Sequence, residues 1–281
     1  PLTMIVGTYT DECASRGVYS YYFDQEKGML VGGDGGLFTE APGAVSRVEM
    51  RNPSYLTLSA DGKLVYAVSE VGDSLASAVT LRLDSKTGAM QMLGSELTDG
   101  KDPCYVSTNG KVVMTANYSS GNVTEFPMGE DGRLLPHDFL YDTGMGGPDS
   151  VRQNLPHAHC ALFNATGTEL YVSEFSADVV TRYDVATRLG KRIQLPSDFG
   201  PRHIILNTDE SKAYVIGELS GNVVVIDTEN DSVIQTVCAD SLHARGCADI
   251  HLSPYGKFLY ASVRLQNDGI AIFKVDSDGT L

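Results

Sequence analysis

The chain is poor in the features that mark several large protein classes. No apolar run approaches the ~18 residues of a membrane-spanning helix, and the opening "PLTMIVGTYT" reads as a strand, not as a charged-then-apolar secretion signal. Cysteine is scarce and irregular: Cys13, Cys104, Cys160, Cys238 and Cys247 are odd in number, and no C-x-x-C occurs. That argues against a disulfide framework or a zinc ribbon and for a reducing compartment, so a cytoplasmic protein is expected. Positive charge is also short. Lys and Arg total 21 against 36 Asp and Glu, a formal net charge of -15, which argues against nucleic acid and against an anionic membrane as partners. G-x-S-x-G is absent, and with it the serine nucleophile elbow. The glycine-rich "GGDGG" at 32–36 has no G-K-[ST] after it, and "DTGMGGPDS" likewise reads as a loop, one that could overhang a site. No stretch carries a convincing amphipathic helical period.

What the chain does have is a repeat. An apolar strand, a short turn and a second strand recur as "PSYLTLSADGKLVYAVSE", "PCYVSTNGKVVMTANYSSGN", "HCALFNATGTELYVSEFSAD", "RHIILNTDESKAYVIGELSGN" and "ADIHLSPYGKFLYASVRLQND". The turn residues Gly62, Gly110, Gly167, Ser211 and Gly256 recur at separations of 48, 57, 44 and 45 residues, near the length of a propeller blade. A third strand follows each pair ("AVTLRLD", "NVTEFPM", "VVTRYDV", "NVVVIDT", "GIAIFKV"), and several end at a turn after which a fourth can begin. The expected class is all-β, a β-propeller of four-stranded blades. "MIVGTYT" and "GVYSYYFD" match the second and third strands with no first strand before them. About six blades are represented, in one propeller domain over residues 1–281 that is expected to lack its last C-terminal blade.

Stacking the repeats brings distant residues into register. The start of the first strand is occupied by Ser54, Cys104, His159, Arg202 and Ala248, and the end of the second by Tyr9, Glu70, Tyr118, Phe175, Glu218 and Arg264. These positions share one end of an antiparallel hairpin, and the first strand of a blade lines the central channel. His159, Arg202, Glu218 and Arg264 should therefore meet at one rim, with His157 and His203 beside them and Glu70, Asn117 and Tyr118 as further lining. Charges at a buried rim are costly unless paired or used. Two readings follow: a structural ion-pair network such as Arg202–Glu218, or an anion-binding catalytic rim. His157 and His159, two apart on a strand, could share a face and chelate zinc with His203, His251 or Glu174 as third ligand, but no H-x-x-x-H or cysteine pair supports it. No metal and no cofactor are expected.

The motifs "VGTYT", "GVYSYYFD", "NPSYL", "LVYAVSE", "ANYSSGNV", "HAHCALFNATG", "ELYVSEFSADVVTRYD", "GPRHIILN", "VIGELSGNVVVID" and "ADIHLSPYGKFLYASVR" run in order along the whole chain. In them the chain resembles the seven-bladed β-propeller lactonase family. It stands nearest the bacterial 6-phosphogluconolactonases, with the 3-carboxy-cis,cis-muconate lactonizing enzymes as sister group. The resemblance implies seven blades and a site at one channel mouth. It assigns that site to the histidine of H-x-H, the arginine of G-P-R-H, the glutamate of E-L-S and the arginine after the last "YAS", which fall on His159, Arg202, Glu218 and Arg264. Two positions depart from the family pattern: Val263 and Gly217 each stand where asparagine is common.

The expected function is hydrolysis of a small anionic sugar lactone, 6-phospho-D-glucono-1,5-lactone, to 6-phosphogluconate in sugar oxidation. A histidine near its unperturbed pKa of ~6.5 suits general acid/base work, here assigned to His159. One of Arg202 and Arg264 would hold the oxyanion and the other a phosphate or carboxylate, while Glu218 orients a partner or serves as base. Three alternatives stand beside it. They are a carboxymuconate cycloisomerase using the same residues, a non-catalytic propeller scaffold, and a calcium-dependent lactonase with Glu70, Asn117 and Glu218 as ligands.

Overall fold

Short runs rich in valine, isoleucine and tyrosine, punctuated by glycine turns, build strands throughout, and a computed structural model of the chain describes residues 2–32, 38–266 and 268–281. Residues 33–36 of the "GGDGG" segment lie outside the described residues. The chain forms two compact units, one comprising residues up to 119 together with 123–141, the other 120–122 and 142–281. Among the described residues no helix is long and apolar enough to cross a membrane.

The first unit holds three antiparallel sheets. In the first, β1 (Leu2–Val6) pairs one side of β2 (Gly17–Asp24), and β3 (Met29–Val31) and β4 (Ser46–Glu49) share the other. The second is the meander β5 (Leu56–Leu58), β6 (Leu64–Ser69), β7 (Ser77–Leu83), β8 (Met90–Leu97). The third is β9 (Pro103–Thr108), β10 (Val112–Asn117), β11 (Asn122–Pro127), β12 (Phe139–Asp142). Val18, Val65 and Leu81 pack the first two sheets together, and Tyr66, Val106 and Phe126 the second and third.

The second unit repeats the plan. Its sheets are β13 (Ala158–Phe163), β14 (Glu169–Glu174), β15 (Val179–Asp184), β16 (Gly190–Gln194), then β17 (Pro201–Leu206), β18 (Lys212–Gly217), β19 (Asn222–Asp227), β20 (Ser232–Cys238). The last has three strands among the described residues: β21 (Ile250–Leu252), β22 (Phe258–Val263) and β23 (Gly269–Lys274). Strand β18 is buried almost from end to end, whereas β20 alternates between exposed and partly covered residues. An inner strand is covered on both faces and an outer one on a single face. Tyr214, Ile216, Val225, Cys247, Leu259 and Ala261 form the core between the last two sheets.

A repeated hydrogen bond ties neighbouring sheets within each unit. Tyr66 buries its ring and donates its hydroxyl to the Gly132 carbonyl in the next sheet's turn, 2.8 Å away. Tyr214 does the same to Gly279 at 2.7 Å. Burial pushes both phenols up to about 12.

One turn differs from the sequence reading. Gly62, Gly167 and Gly256 take the left-handed conformation at the hairpin turn, but in the fourth repeat that place belongs to Glu210 (φ 59), not Ser211. Glu210 compensates the strain with its side chain, whose Oε1 accepts the Ala165 amide at 2.6 Å. With Glu210 at the turn, Arg202 precedes it by the same interval as His159 precedes Gly167.

Candidate active site

The second unit gathers the charged residues of the repeat register. Their placement begins with a fault in the ladder. On β13, Ala158 pairs Glu174 and Cys160 pairs Ser173, so His159 is an extra residue. On β17, Pro201 pairs Gly217 and Ile204 pairs Val215, which puts Arg202 and His203 opposite Ile216 alone. Each inner strand thus carries a β-bulge at its start, a device that re-aims side chains away from strict alternation. The bulge corrects the view of His157 and His159 as two residues on one strand face. His157 precedes the strand, and its ring meets Phe175 edge-on at 6.2 Å.

His159 is buried, and its ring lies edge-on to that of His203, centroids 5.2 Å apart. It does not keep the ordinary histidine pKa expected from its type. Burial first, then the charges of Arg202 and His203, hold its imidazole well below the usual range, so it is neutral at pH 7. His203 is buried as well and is likewise pushed down by burial, against the pull of Asp249. Its Nδ1 stands 2.7 Å from Asp249 Oδ1, while Asp249 Oδ2 stands 2.8 Å from Nε2 of the exposed His251. Burial pushes the Asp249 carboxyl up, but the hydrogen bonds with His203 and His251 outweigh it and carry it well below the usual carboxylate range.

Beside the histidines, three guanidinium groups surround one buried carboxylate. Arg202 donates Nε to Glu218 Oε2 at 3.1 Å, Arg152 donates to Oε1 at 2.7 Å, and Arg264 approaches Oε1 at 3.8 Å. The Arg202–Glu218 ion pair expected of a structural network therefore exists, but inside a larger cationic cluster. Arg264 is braced by donating its Nε to the Gly246 carbonyl at 2.9 Å. Arg202 is aimed by its backbone, whose carbonyl accepts the Ser173 hydroxyl at 2.8 Å. Glu218 is aimed by its amide, bonded to the Gly200 carbonyl at 2.9 Å.

Two carboxylates anchor the loops that carry this cluster. The buried Asp178 accepts the amides of Asp198, Phe199 and Gly200 and the side chain of Gln153, at 2.7–3.0 Å. The loop read as a loose overhang, "DTGMGGPDS", is pinned: Asp149 accepts the Val151 and Arg152 amides at 2.9 and 2.8 Å, and Arg245 grips Asp149 at 2.6 Å. The Arg152 and Val151 amides, followed by Arg245, lower the Asp149 pKa to about 2.

The structure thus brings His159, Arg202, Glu218 and Arg264 together, with His157 and His203 adjoining. Glu70, Asn117 and Tyr118 belong to the first unit. There Glu70 accepts the Tyr9 and Ser54 hydroxyls, Asn117 donates to Thr124 at 2.8 Å, and the Tyr118 amide bonds the Asp102 carbonyl at 3.0 Å. Sequence reasoning missed Arg152, Asp249, Asp178 and Arg245. Among the described residues no three His, Cys, Asp or Glu side chains gather to hold a metal ion. Glu218, ringed by cations, is ill-suited to bind calcium.

A neutral buried imidazole beside fixed guanidinium donors can move a proton and stabilise developing negative charge, the requirements of ester hydrolysis. The comparisons with known proteins agree. The family described as "Lactonase, 7-bladed beta-propeller" matches residues 3–281. The 6-phosphogluconolactonase of Bacillus subtilis is 30% identical over 285 residues, covering 96% of this chain and 77% of its own. A crystal structure from Bacteroides uniformis, provisionally named 6-phosphogluconolactonase, superposes with a TM-score of 0.91 at 43% identity, over 99% of this chain and 80% of that one. The periplasmic gluconolactonase of Pseudomonas aeruginosa gives 0.88 at 28% identity, over 99% and 80%. The chain belongs to the seven-bladed β-propeller lactonase family. It is a carboxylic ester hydrolase of the lactonase class, built from four-stranded blades of which it contains about six.

Proposed function

We propose that the chain hydrolyses 6-phospho-D-glucono-1,5-lactone to 6-phosphogluconate at this cluster. The observation that carries the reading is the juxtaposition of a buried, neutral His159 with Arg202, Glu218 and Arg264. His159 takes a proton from water as the water oxygen bonds to the lactone carbonyl carbon, and the carbonyl electron pair moves onto its oxygen. That oxyanion is met by Arg202, whose Nε is engaged by Glu218. Collapse of the tetrahedral intermediate breaks the bond from the carbonyl carbon to the ring oxygen. The departing oxygen takes the proton from the His159 imidazolium, which the low pKa of that group makes a ready donor. Glu218 serves to hold the guanidinium groups in place, since each of its oxygens is already engaged by one. The free thiols of Cys13, Cys238 and Cys247 support a reducing, cytoplasmic setting.

The test is hydrolysis of freshly made 6-phosphogluconolactone by the chain and by His159→Ala and Arg202→Ala. Each variant should lose at least ~100-fold in kcat with its fold intact. Undiminished activity in both would remove the mechanism. Turnover of 3-carboxy-cis,cis-muconate in place of the lactone would replace hydrolysis with cycloisomerisation.

A further inference from the structure

We propose that Arg152 and Arg264 together form the receiving site for the substrate's anionic group, leaving Arg202 to the reacting oxygen. The proposal rests on the lactonase reading and divides its arginines by role.

Three features support this division. The first is charge. Three guanidinium groups converge on the single carboxylate of Glu218 in a chain whose net charge is -15. The three share that one carboxylate, a concentration of positive charge at a single point of an acidic chain. At Arg264 burial first, then the charge of Arg202 and to a lesser degree that of Arg152, weakens the hold on the proton, with Glu218 opposing.

The second is sidedness. Arg152 and Arg264 both approach Oε1 of Glu218, whereas Arg202 takes Oε2. The side chains of Arg152 and Arg264 are 37% and 46% exposed, that of Arg202 only 15%. The cluster thus has a more exposed pair and a more buried member, Arg202, whose charge acts on His159 more strongly than that of Arg264. A lactone bound with its carbonyl at the inner end would direct a phosphate, several bonds away, to the outer pair. A phosphate has enough oxygens to bridge two planar forks.

The third is preparation. Arg152 is not a loose surface side chain. Its guanidinium stands 5.3 Å over the Phe175 ring, its amide is capped by Asp149, and Arg245 clamps Asp149 while also holding Asp198 at 2.8 Å. Arg264 is fixed to the Gly246 carbonyl. A pair of cations immobilised before the ligand arrives loses little entropy on binding it.

The test is calorimetric titration of 6-phosphogluconate and of gluconate into the chain and into Arg152→Ala, Arg152→Lys and Arg264→Ala. The phosphorylated ligand should bind the unaltered chain at least ~30-fold more tightly than gluconate, and each alanine variant should shrink that ratio by about tenfold. Arg152→Lys, which keeps the charge and loses the fork, should fall between. Equal affinity for the two ligands in the unaltered chain, or a ratio that Arg152→Ala leaves alone, would overturn the proposal. If Arg152→Ala melts early, Arg152→Lys and Arg264→Ala decide the matter. Because the readout is binding, failure of the chain to hydrolyse any lactone while the ratio behaves as described would sink the lactonase reading and leave the anion site standing.

Discussion

Nδ1 of His203 lies 2.7 Å from Oδ1 of Asp249, a residue in the approach to the next sheet, and the ring so held stands edge-on to His159 at 5.2 Å. An ionised carboxylate at Nδ1 commits a neutral imidazole to carrying its proton there. His203 therefore presents a fixed face to His159, and Asp249 acts on the reaction only through it, as a positioning residue. Asp249→Ala should lower kcat about tenfold to a hundredfold with KM little changed, because orientation at the reacting centre is lost while the arginines remain. Nitrogen NMR of the His203 ring supplies the second readout: the proton should redistribute between Nδ1 and Nε2 in the variant. An unchanged tautomer with lowered activity would mean that Asp249 serves only to hold the fold.

The acid limb of the pH profile follows from His159. Burial, then Arg202 and His203, lower its pKa, so the neutral form persists well below pH 6.5. The profile of kcat/KM should therefore stay flat down through pH 6.5 and fall only at more acid values. Removing the charge that lowers it most, by Arg202→Gln, should move that limb upward, toward the ordinary value for histidine. A limb at or above pH 6.5 in the unaltered chain would contradict the buried, neutral imidazole.

The same shift bears on stability. A histidine whose folded pKa lies below its unfolded one binds more protons when unfolded, so it costs stability as pH falls below about 6.5 and nothing well above it. Over that acid window the slope is about 1.4 kcal/mol per pH unit for each proton taken up. His159 and His203 both contribute in this direction, while the raised pKa of His251 beside Asp249 works against them. Urea unfolding between pH 5 and 7 should show stability rising with pH, and His159→Gln should flatten the rise. An equal slope in the variant would mean that His159 is protonated in the folded chain.

Much of this site was legible because it sits on repeat positions. His159, Arg202, Glu218 and Arg264 occur at fixed intervals from the hairpin turns, so stacking the repeats was enough to assemble them. The rest escaped for definable reasons. Arg152 comes from a non-repeating loop, whose course is set by Asp149, Gln153 and Arg245 rather than by any period. The bulges at His159 and at Arg202 and His203 each insert an extra residue that alternation does not announce. The depressed pKa of His159 depends on burial and neighbouring charge, neither of which residue type carries. The turn of the fourth repeat falls at Glu210, one residue before Ser211, because an acidic residue there takes the left-handed conformation that glycine takes in the other repeats.

Glu218 gives the most direct measure of the cluster's charge. Its carboxylate is almost fully buried and is the counter-ion of Arg152, Arg202 and Arg264. Glu218→Gln keeps the shape and one acceptor but removes the negative charge that the three guanidinium groups share. Breaking a buried pair from one side is costly, here about 2–3 kcal/mol after allowing for the partly exposed arginines. The cost should be recoverable from outside, because an anion that binds the folded chain alone stabilises it by mass action. Inorganic phosphate should therefore raise the melting temperature of Glu218→Gln by more than it raises that of the unaltered chain. If phosphate lifts both equally, or if the variant is as stable as its parent, the arginines do not depend on Glu218 for their charge balance, and its place in the reaction would have to be sought in proton transfer instead.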